Sequence, residues 1–579
     1  MTAVPAQAET IYPSVHRPWK QYFPEEIFQE TLPEKSMYDF MHDLNKDYPH
    51  DIALEYLDIR VTYGELFQRI DETARALIGL GVQPGDIVTI AMPNTPEFVY
   101  LAYAVNRVGA VMNNVHPLPG AEEMAGYLNE AESRIIFMFD GTWNAIHSCL
   151  EKTKVEKAVV VSPAQSLGFV KRKLYRMANP VHLDRSVAMD WGEFLKAGKG
   201  VDPVFPEKDP SLPAVISHTG GTTGEPKGVL LPDNAENAYV FQIMKAIDLC
   251  KERQLCMLVV LPPFVNYSFT AGIHEGLCVG CKVALIADYK SDHFGEYYEK
   301  YHVNVVNTIP SYCMDMMNDE KCQNMDLSGL KLVIVAGEAM DQHMEEEINT
   351  FLHDHGAKIR LTKGYGCTEF TCGVTFTFDE VNFPGTVGIP HFLDSIKIVE
   401  PETTIERPIN KKGEVCITGP CLMIGYLNNQ EETDAIIRVH EDGKRWLHMG
   451  DIGYIDEHGA LFITGRIKRI LATVGPDGNP TKLFPDRIER AIQLCDAVEV
   501  CCVVGVRDEK RLFLPKAYVE LLDKGADWET VTEQILEKCR EKLPDYMVPV
   551  EIEYMDALPR TERGKVDYRA LESTDITNE

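Results

Sequence analysis

Apolar positions along this chain follow two alternating rhythms. Ile59–Thr62, alternating apolar and polar, and the mostly apolar run Ile87–Ala91 have the length and flanking turns of strands. Between them, residues 64–80 place Leu66, Ile70, Ala74, Leu77 and Ile78 on one helical face. Gly81 stands where a helix cap belongs, and Gly85-Asp86 turns the chain into the next strand. Residues 37–48 and 98–108 repeat the helical spacing, and 331–336, 358–361, 498–506 and 516–521 read as further strands. Strand–helix–strand alternation predicts an α/β protein on mostly parallel sheets. We expect a large N-terminal region of layered sheets and helices ending near Lys468, then a compact α+β domain over 469–579. The first 36 residues, with His16-Arg17-Pro18-Trp19-Lys20-Gln21-Tyr22-Phe23-Pro24, predict an irregular arm wrapping the first domain.

Residues 162–200 break the alternation. Lys171, Arg172, Lys173 and Arg176 cluster among Leu167, Phe169, Val170, Leu174, Tyr175 and Met177. This reads either as an amphipathic helix packed on its own domain or as a basic, apolar contact with a membrane surface.

Composition narrows the class. The chain has 579 residues, more than one ordinary domain, with 45% hydrophobic and 25% charged residues. Lys and Arg total 57 against 88 Asp and Glu, a formal charge of −31, which argues against a general nucleic-acid binder. The fifteen cysteines are scattered. Cys278 and Cys281 form a C-x-x-C among apolar neighbours, a reduced, packed pair rather than a zinc site. Cys501 and Cys502 read as strand core. Reduced thiols fit a cytoplasmic protein. The N-terminus has neither the basic start nor the apolar stretch of a secretory signal, and no run approaches the ~18 apolar residues of a membrane span. We expect a soluble protein that at most touches a membrane surface.

Chemistry concentrates in 214–231. Two apolar runs, 214–216 and 229–231, flank a loop of glycines (Gly220, Gly221, Gly224, Gly228), hydroxyls (Ser217, Thr219, Thr222, Thr223) and Lys227. Glycine lets backbone amides converge on one anion, and the lysine adds charge, so the loop suits a phosphate. It is not the P-loop of common nucleoside triphosphatases, because Lys227 lies between Pro226 and Gly228 and precedes a strand. Gly364-Tyr365-Gly366-Cys367-Thr368-Glu369 presents a flat ring and a hard oxygen ligand of the kind Mg²⁺ uses beside phosphates. Gly337-Glu338-Ala339 opens from a strand end, where ligands sit in open α/β sheets. Gly450-Asp451 and Gly465-Arg466 offer a carboxylate for ribose hydroxyls and a guanidinium for sugar and phosphate. Lys565 stands at the tip of a Pro- and Gly-containing loop, 558–567.

In this order, these motifs closely resemble the adenylate-forming superfamily, which groups acyl-CoA synthetases, firefly luciferases and the adenylation domains of peptide synthetases. The resemblance runs from near residue 37 almost to the end. It implies that Thr219, Gly220, Gly221, Thr222, Thr223, Gly224 and Lys227 bind the phosphates of ATP. Gly337, Glu338, Ala339, Tyr365 and Gly366 would contact adenine, Thr368 phosphate, Glu369 Mg²⁺, and Asp451 and Arg466 ribose. Lys565 would enter from a small mobile C-terminal domain and offset the repulsion between substrate carboxylate and α-phosphate. Lys565, Glu369, Lys227 and Thr223 are thus the implied catalytic set. Gly413-Glu414-Val415 and Gly425-Tyr426-Leu427-Asn428 match a further motif, read as structural. Phe264, Val265, Tyr267, Phe269, Gly364 and Gly373 are the candidate acyl pocket.

Two departures matter. The family's hinge is usually Asp or Lys, where this chain has Arg469, and the segment 470–487 is longer than usual. That segment lines the pantetheine tunnel in the family, so CoA as acceptor is less secure than adenylation. Many relatives carry His where this chain has Val265; with Tyr267 and Phe269 it suggests an apolar acid, although core packing explains the same residues. The leading expectation is an ATP-, Mg²⁺- and CoA-dependent ligase for a fatty or other hydrophobic acid. An adenylate ligase loading a carrier-protein thiol, and a non-catalytic acyl-nucleotide binding protein, stay open.

Overall fold

The computed structural model describes residues 10–118, 120–219, 227–340, 342–469, 471–474, 480–508, 511–560 and 566–576. Thr62 caps the helix Tyr63–Gly79 in a reciprocal capping box with Glu65. The helix returns the chain to the parallel strands Ile87–Ala91, Val111–Asn114 and Ile135–Phe139. The alternation expected from the apolar rhythm is present.

Among the described residues, two large sheets carry the N-terminal region. One has eight strands in the spatial order Gly425–Tyr426, Lys227–Pro232, Pro213–Thr219, Val111–Asn114, Ile87–Ala91, Ile135–Phe139, Lys157–Val161 and Ala188–Asp190. The other has nine, with Thr362–Tyr365, Leu332–Val335, Val305–Thr308, Cys256–Val259, Lys282–Leu285 and Ile52–Tyr56 running parallel and antiparallel strands at both edges. The helix Pro96–Arg107 is buried at every position but its last, which fits its nearly all-apolar circumference. Of its deep polar groups, Glu97 accepts from Ser166, and Asn106 accepts from Tyr38 N and donates to Asp233, whose carboxylate also pairs with Lys208 at 2.6 Å.

A third, antiparallel sheet holds Ser395–Val399, Gly413–Thr418, Arg445–Ile455, Ile437–Val439 and Leu461–Arg466. The arm packs here. Trp19 is fully buried against Gly459, and Phe23 meets Phe378 and Phe392. After Arg469 come a two-stranded hairpin, the strands Val498–Asp508, Leu512–Leu521 and Glu551–Tyr554, and the helices Pro485–Ile492 and Trp528–Lys542. These enclose their own small core around Ile488, Ile492, Val503, Val519 and Ile535. The protein is therefore α/β, with a large N-terminal part and a small C-terminal one.

Several expectations need correction. The helix from Met37 ends at Asn45, short of 48. Residues 358–361 are not a strand; the strand is Thr362–Tyr365, because its parallel partner Leu332–Val335 sets Ile334 opposite Thr362. The helix within 162–200 exists, Phe169–Ala178, but buries none of its residues, so it is not packed on its own domain by an apolar face. Cys278, Cys281, Cys501 and Cys502 are free, buried thiols, as expected.

Candidate active site

The strands Pro213–Thr219 and Lys227–Pro232 form an antiparallel hairpin in which Thr219 faces Lys227, so the glycine-rich loop springs from that pair. Gly220, Gly221, Thr222, Thr223 and Gly224 lie outside the described residues, as does Lys565. At the outer edge of the hairpin, Gly425–Tyr426 pairs with Leu230 and Val229. That pairing carries the Tyr426 ring under the Lys227 ammonium, 5.0 Å from centroid to Nζ. Lys227 Nζ also pairs with Glu432 at 2.5 Å. The Tyr426 hydroxyl donates to Glu369 Oε1 at 2.7 Å, and burial, then the Glu369 charge, push that phenol above its usual range. A continuous path thus joins the lysine proposed for phosphate to the carboxylate proposed for Mg²⁺.

The second cluster gathers at the carboxyl ends of parallel strands. Leu332–Val335 leads to Gly337, at φ +86, and Glu338 accepts from Ser311 N and Oγ at 3.1 and 3.2 Å. The neighbouring strand Thr362–Tyr365 leads to Gly366, Cys367 and the turn Thr368–Phe370. A Cβ on Gly366 would stand 2.0 Å from the Cys372 carbonyl oxygen, so only glycine fits. The Tyr365 hydroxyl donates to Asp451 Oδ2 at 2.5 Å, and Arg466 Nε reaches Asp451 Oδ1 at 2.8 Å. The antiparallel register that sets Asp451 opposite Arg466 brings them together. Asp451 is 3% exposed and Arg466 52%, so the charge pair is buried at its acidic end and open at its basic end. Asp451 raises the Arg466 guanidinium against the opposing effect of burial. Burial and Asp451 together raise the Tyr365 phenol well above its usual range.

The acyl-pocket residues divide. Phe264 meets the His116 ring at 4.5 Å, Val265 is half-buried, and the Tyr267 hydroxyl reaches Thr308 O and Ile334 O at 3.4 and 3.3 Å. They therefore lie at the same strand ends as Gly337. Gly364 forms part of its strand, and Gly373 abuts the Tyr239 ring. Phe269 instead sits in the core at 1% exposure, against Phe98 and His274. It belongs to a buried π-helical stretch, Ser268–His274. Just before it, Asn266 donates to Glu236, Thr270 and Thr371 O, tying that stretch to the segment after Glu369. Burial pushes Glu236 up to about 7.

Arg469, the expected hinge residue, is bonded to the C-terminal part. Its guanidinium donates to both oxygens of Glu489 at 2.6 and 2.9 Å, to Asp486, and to Val503 O at 3.1 Å. Burial opposes its charge, but Glu489 and Asp486 outweigh that and raise it.

Glu432 and Asn266 were not singled out from the sequence, and Tyr426 was read only as part of a structural motif. The aromatic in Gly425-Tyr426 was on view, but its role depends on which strand pairs with it. A second buried polar group, Cys416, His440 and His448, has metal-ligand chemistry. It is occupied by its own bonds, with His440 Nε2 and His448 Nε2 3.0 Å apart and His448 Nδ1 3.1 Å from Glu414. Lys397 stands 3.5 Å from His440 Nδ1 and, with burial, holds that imidazole down at about 4. An ammonium in contact opposes a cation. A cleft of about 310 Å³ lined by Tyr298, Glu299, His302 and Asp326 contains none of the motif residues.

A family model described as AMP-binding enzyme matches residues 42–427, and one described as AMP-binding enzyme C-terminal domain matches 487–565. The chain belongs to the AMP-binding enzyme family. It is 28% identical over 578 residues to a long-chain-fatty-acid–CoA ligase of Bacillus subtilis (strain 168), covering 97% of this chain and 99% of the relative. It is 25% identical over 532 residues to the 4-coumarate–CoA ligase CCL1 of Humulus lupulus, covering 90% of each. Among solved structures, ATP-bound MatB from Rhodopseudomonas palustris has a TM-score of 0.79 at 22% identity, over 94% of this chain and 100% of that one. The adenylate-forming resemblance and the α/β architecture are thereby established for this AMP-binding enzyme.

Proposed function

We propose that this AMP-binding enzyme is an ATP-dependent acid:CoA ligase acting on a fatty or other hydrophobic carboxylic acid. The observation that supports the reading is the pair of clusters Tyr365–Asp451–Arg466 and Lys227–Tyr426–Glu369, joined through the segment 365–369, whose side chains suit a nucleotide. A carboxylate oxygen of the acid attacks the α-phosphorus of ATP, the bond to the β-phosphate oxygen breaks, and pyrophosphate leaves. The acyl-adenylate carries a good leaving group, so the CoA thiolate can attack its carbonyl carbon and release AMP. Asp451 and Arg466 hold the ribose, and the Tyr365 ring stacks on adenine while its hydroxyl is fixed by Asp451. Gly337, Glu338 and Ala339 border the base. Thr219, Lys227 and the loop between them hold the phosphates, with Glu432 as the partner Lys227 exchanges for phosphate oxygen.

Glu369 is a hard oxygen donor already held by a neutral phenol, which suits it to Mg²⁺; the ion would supply charge neutralisation at the phosphates. Lys565 stabilises the charge that develops as the two anions meet. We place the arm at 1–36 and the division between large and small domains at 468/469, so that Lys565 belongs to the small one.

The fatty class is supported by the near-full-length similarity to the Bacillus subtilis ligase and by apolar Phe264, Val265 and Tyr267 at the strand ends. An aryl acid is the second reading, favoured by the similarity to the 4-coumarate–CoA ligase. Pyrophosphate release from ATP, measured across short, medium, long and aryl acids with and without CoA, tests the proposal. Release that turns over only with CoA and is fastest with long-chain acids is expected. Release indifferent to CoA would point to a carrier-protein thiol, and no release with any acid would overturn the enzymatic reading.

A further inference from the structure

The helix Phe169–Ala178 is inside out. Val170, Leu174 and Met177, spaced i, i+4 and i+7, share one face, yet they are 68%, 61% and 69% exposed. Phe169 beside them is 72% exposed. The opposite arc, which a soluble helix would turn to water, faces the protein and bonds to it. Arg172 donates to Gln165 O and Arg176 to Gln165 Oε1, both at 3.2 Å, the Tyr175 hydroxyl reaches Asp140 at 3.5 Å, and Lys171 pairs with Asp58. An amphipathic helix that spends its polar face on its own protein leaves its apolar face for a different partner.

Both ends of the excursion are fixed. Tyr56 donates to Pro163 O at 2.8 Å before the helix, and Trp143 Nε1 donates to His182 O at 3.0 Å after it. The helix is thus held out on a stem. Charge indicates the partner. No Asp or Glu occurs between Glu156 and Asp184, whereas the whole chain carries a formal −31. Lys173 lies between Phe169 and Met177 around the helix and has no partner among the described residues. Apolar side chains at the tip, Lys173 beside them and no acid within the segment itself match a negatively charged lipid surface. One ten-residue helix is too narrow for the ~1,000 Å² that a stable protein dimer buries.

We propose that Phe169–Ala178 seats this enzyme on an anionic bilayer, with Phe169, Val170, Leu174 and Met177 in the acyl boundary and Lys173 at phosphate level. Binding itself does not depend on the acid class. If the substrate is a long-chain acid, which partitions into bilayers, the helix would bring the enzyme to where that substrate is concentrated.

Vesicle flotation tests this with the full-length enzyme. Wild type is expected to float with phosphatidylcholine vesicles containing phosphatidylglycerol, far less with pure phosphatidylcholine, and less again at high salt. The Leu174→Glu/Met177→Glu variant should bind at least about tenfold more weakly, with unchanged thermal stability and unchanged pyrophosphate release on a short, water-soluble acid. Wild type that stays unbound to phosphatidylglycerol vesicles overturns the proposal, as does a variant that floats equally well. A wild-type dimer that the same substitutions convert to monomer, without flotation, would assign the face to a second copy instead. Failure of pyrophosphate release with every acid would sink the proposed ligase activity and leave the flotation result standing.

Discussion

Asp451 accepts from Tyr365 and Arg466 at once while almost wholly buried. An aspartate in that position presents charge to a ligand without searching for its rotamer. Asp451→Asn keeps the shape, removes the charge and weakens both bonds. Hydrogen bonds to charged groups contribute about 1.5–3 kcal/mol, so KM for ATP should rise roughly ten- to a hundredfold in ATP-titrated pyrophosphate release, with a smaller change in kcat. An unchanged KM would remove Asp451 from the ribose site. Glu275 illustrates the opposite environment. It is 2% exposed, its Oε2 has no partner, and burial alone raises it from 4.5 to about 8. The folded protein therefore holds a proton that the unfolded chain releases, and stability falls as pH rises from about 4.5 to about 8. Glu275→Gln removes that dependence, so its thermal midpoint should gain on wild type steadily between pH 5 and 8. A constant difference across that range would contradict it.

Elements, more than single residues, decided where sequence reading went astray. The run 358–361 has strand-like apolar spacing, but the strand is Thr362–Tyr365, which includes a buried lysine. Lys363 is paired with Glu345 at 2.6 Å and donates to Phe383 O, so its burial is invisible in a hydrophobic pattern. Register belongs to the partner strand and cannot be read from one strand alone. Around Arg469 the same holds. Arg469, expected at the hinge from the order of motifs, is tied to the helix Pro485–Ile492 and the strand Val498–Asp508, partners its own sequence neighbourhood does not announce. Glu489→Gln leaves a largely buried guanidinium without its bidentate partner. A loss of about 3 kcal/mol is expected, read as faster amide exchange in Val498–Asp508 and Leu512–Leu521. Exchange unchanged in both strands would show that the pair does not hold the C-terminal core.

Across the whole molecule, chain segments far apart in sequence share a core. Near the N-terminus, Trp19 sits on Gly459 and Phe23 on Phe378 and Phe392, more than three hundred residues away. The nine-stranded sheet brings 337–339, 365–369 and Tyr267 to the carboxyl ends of its parallel strands. The outward apolar face of Phe169–Ala178 also belongs to this scale, because only the packing of the surrounding chain shows which side of the helix is spent. Among the described residues, no helix is long and apolar enough to cross a membrane, so any lipid contact of these residues would lie at the surface, where the flotation experiment looks.

Local order was legible from the residues themselves. The capping box at Thr62 and the apolar strands each depend on neighbours within a few positions, and the family motifs keep their order in the chain. The tertiary structure decided what depends on partners. It made Tyr426 the link between Lys227 and Glu369, put Phe269 in the core while Tyr267 reached the strand ends, and bound Arg469 to Glu489. It also turned a basic amphipathic helix outward. A side chain's type and spacing are set along the chain, but its neighbour across a sheet, and the direction it faces, are set only when distant strands pair.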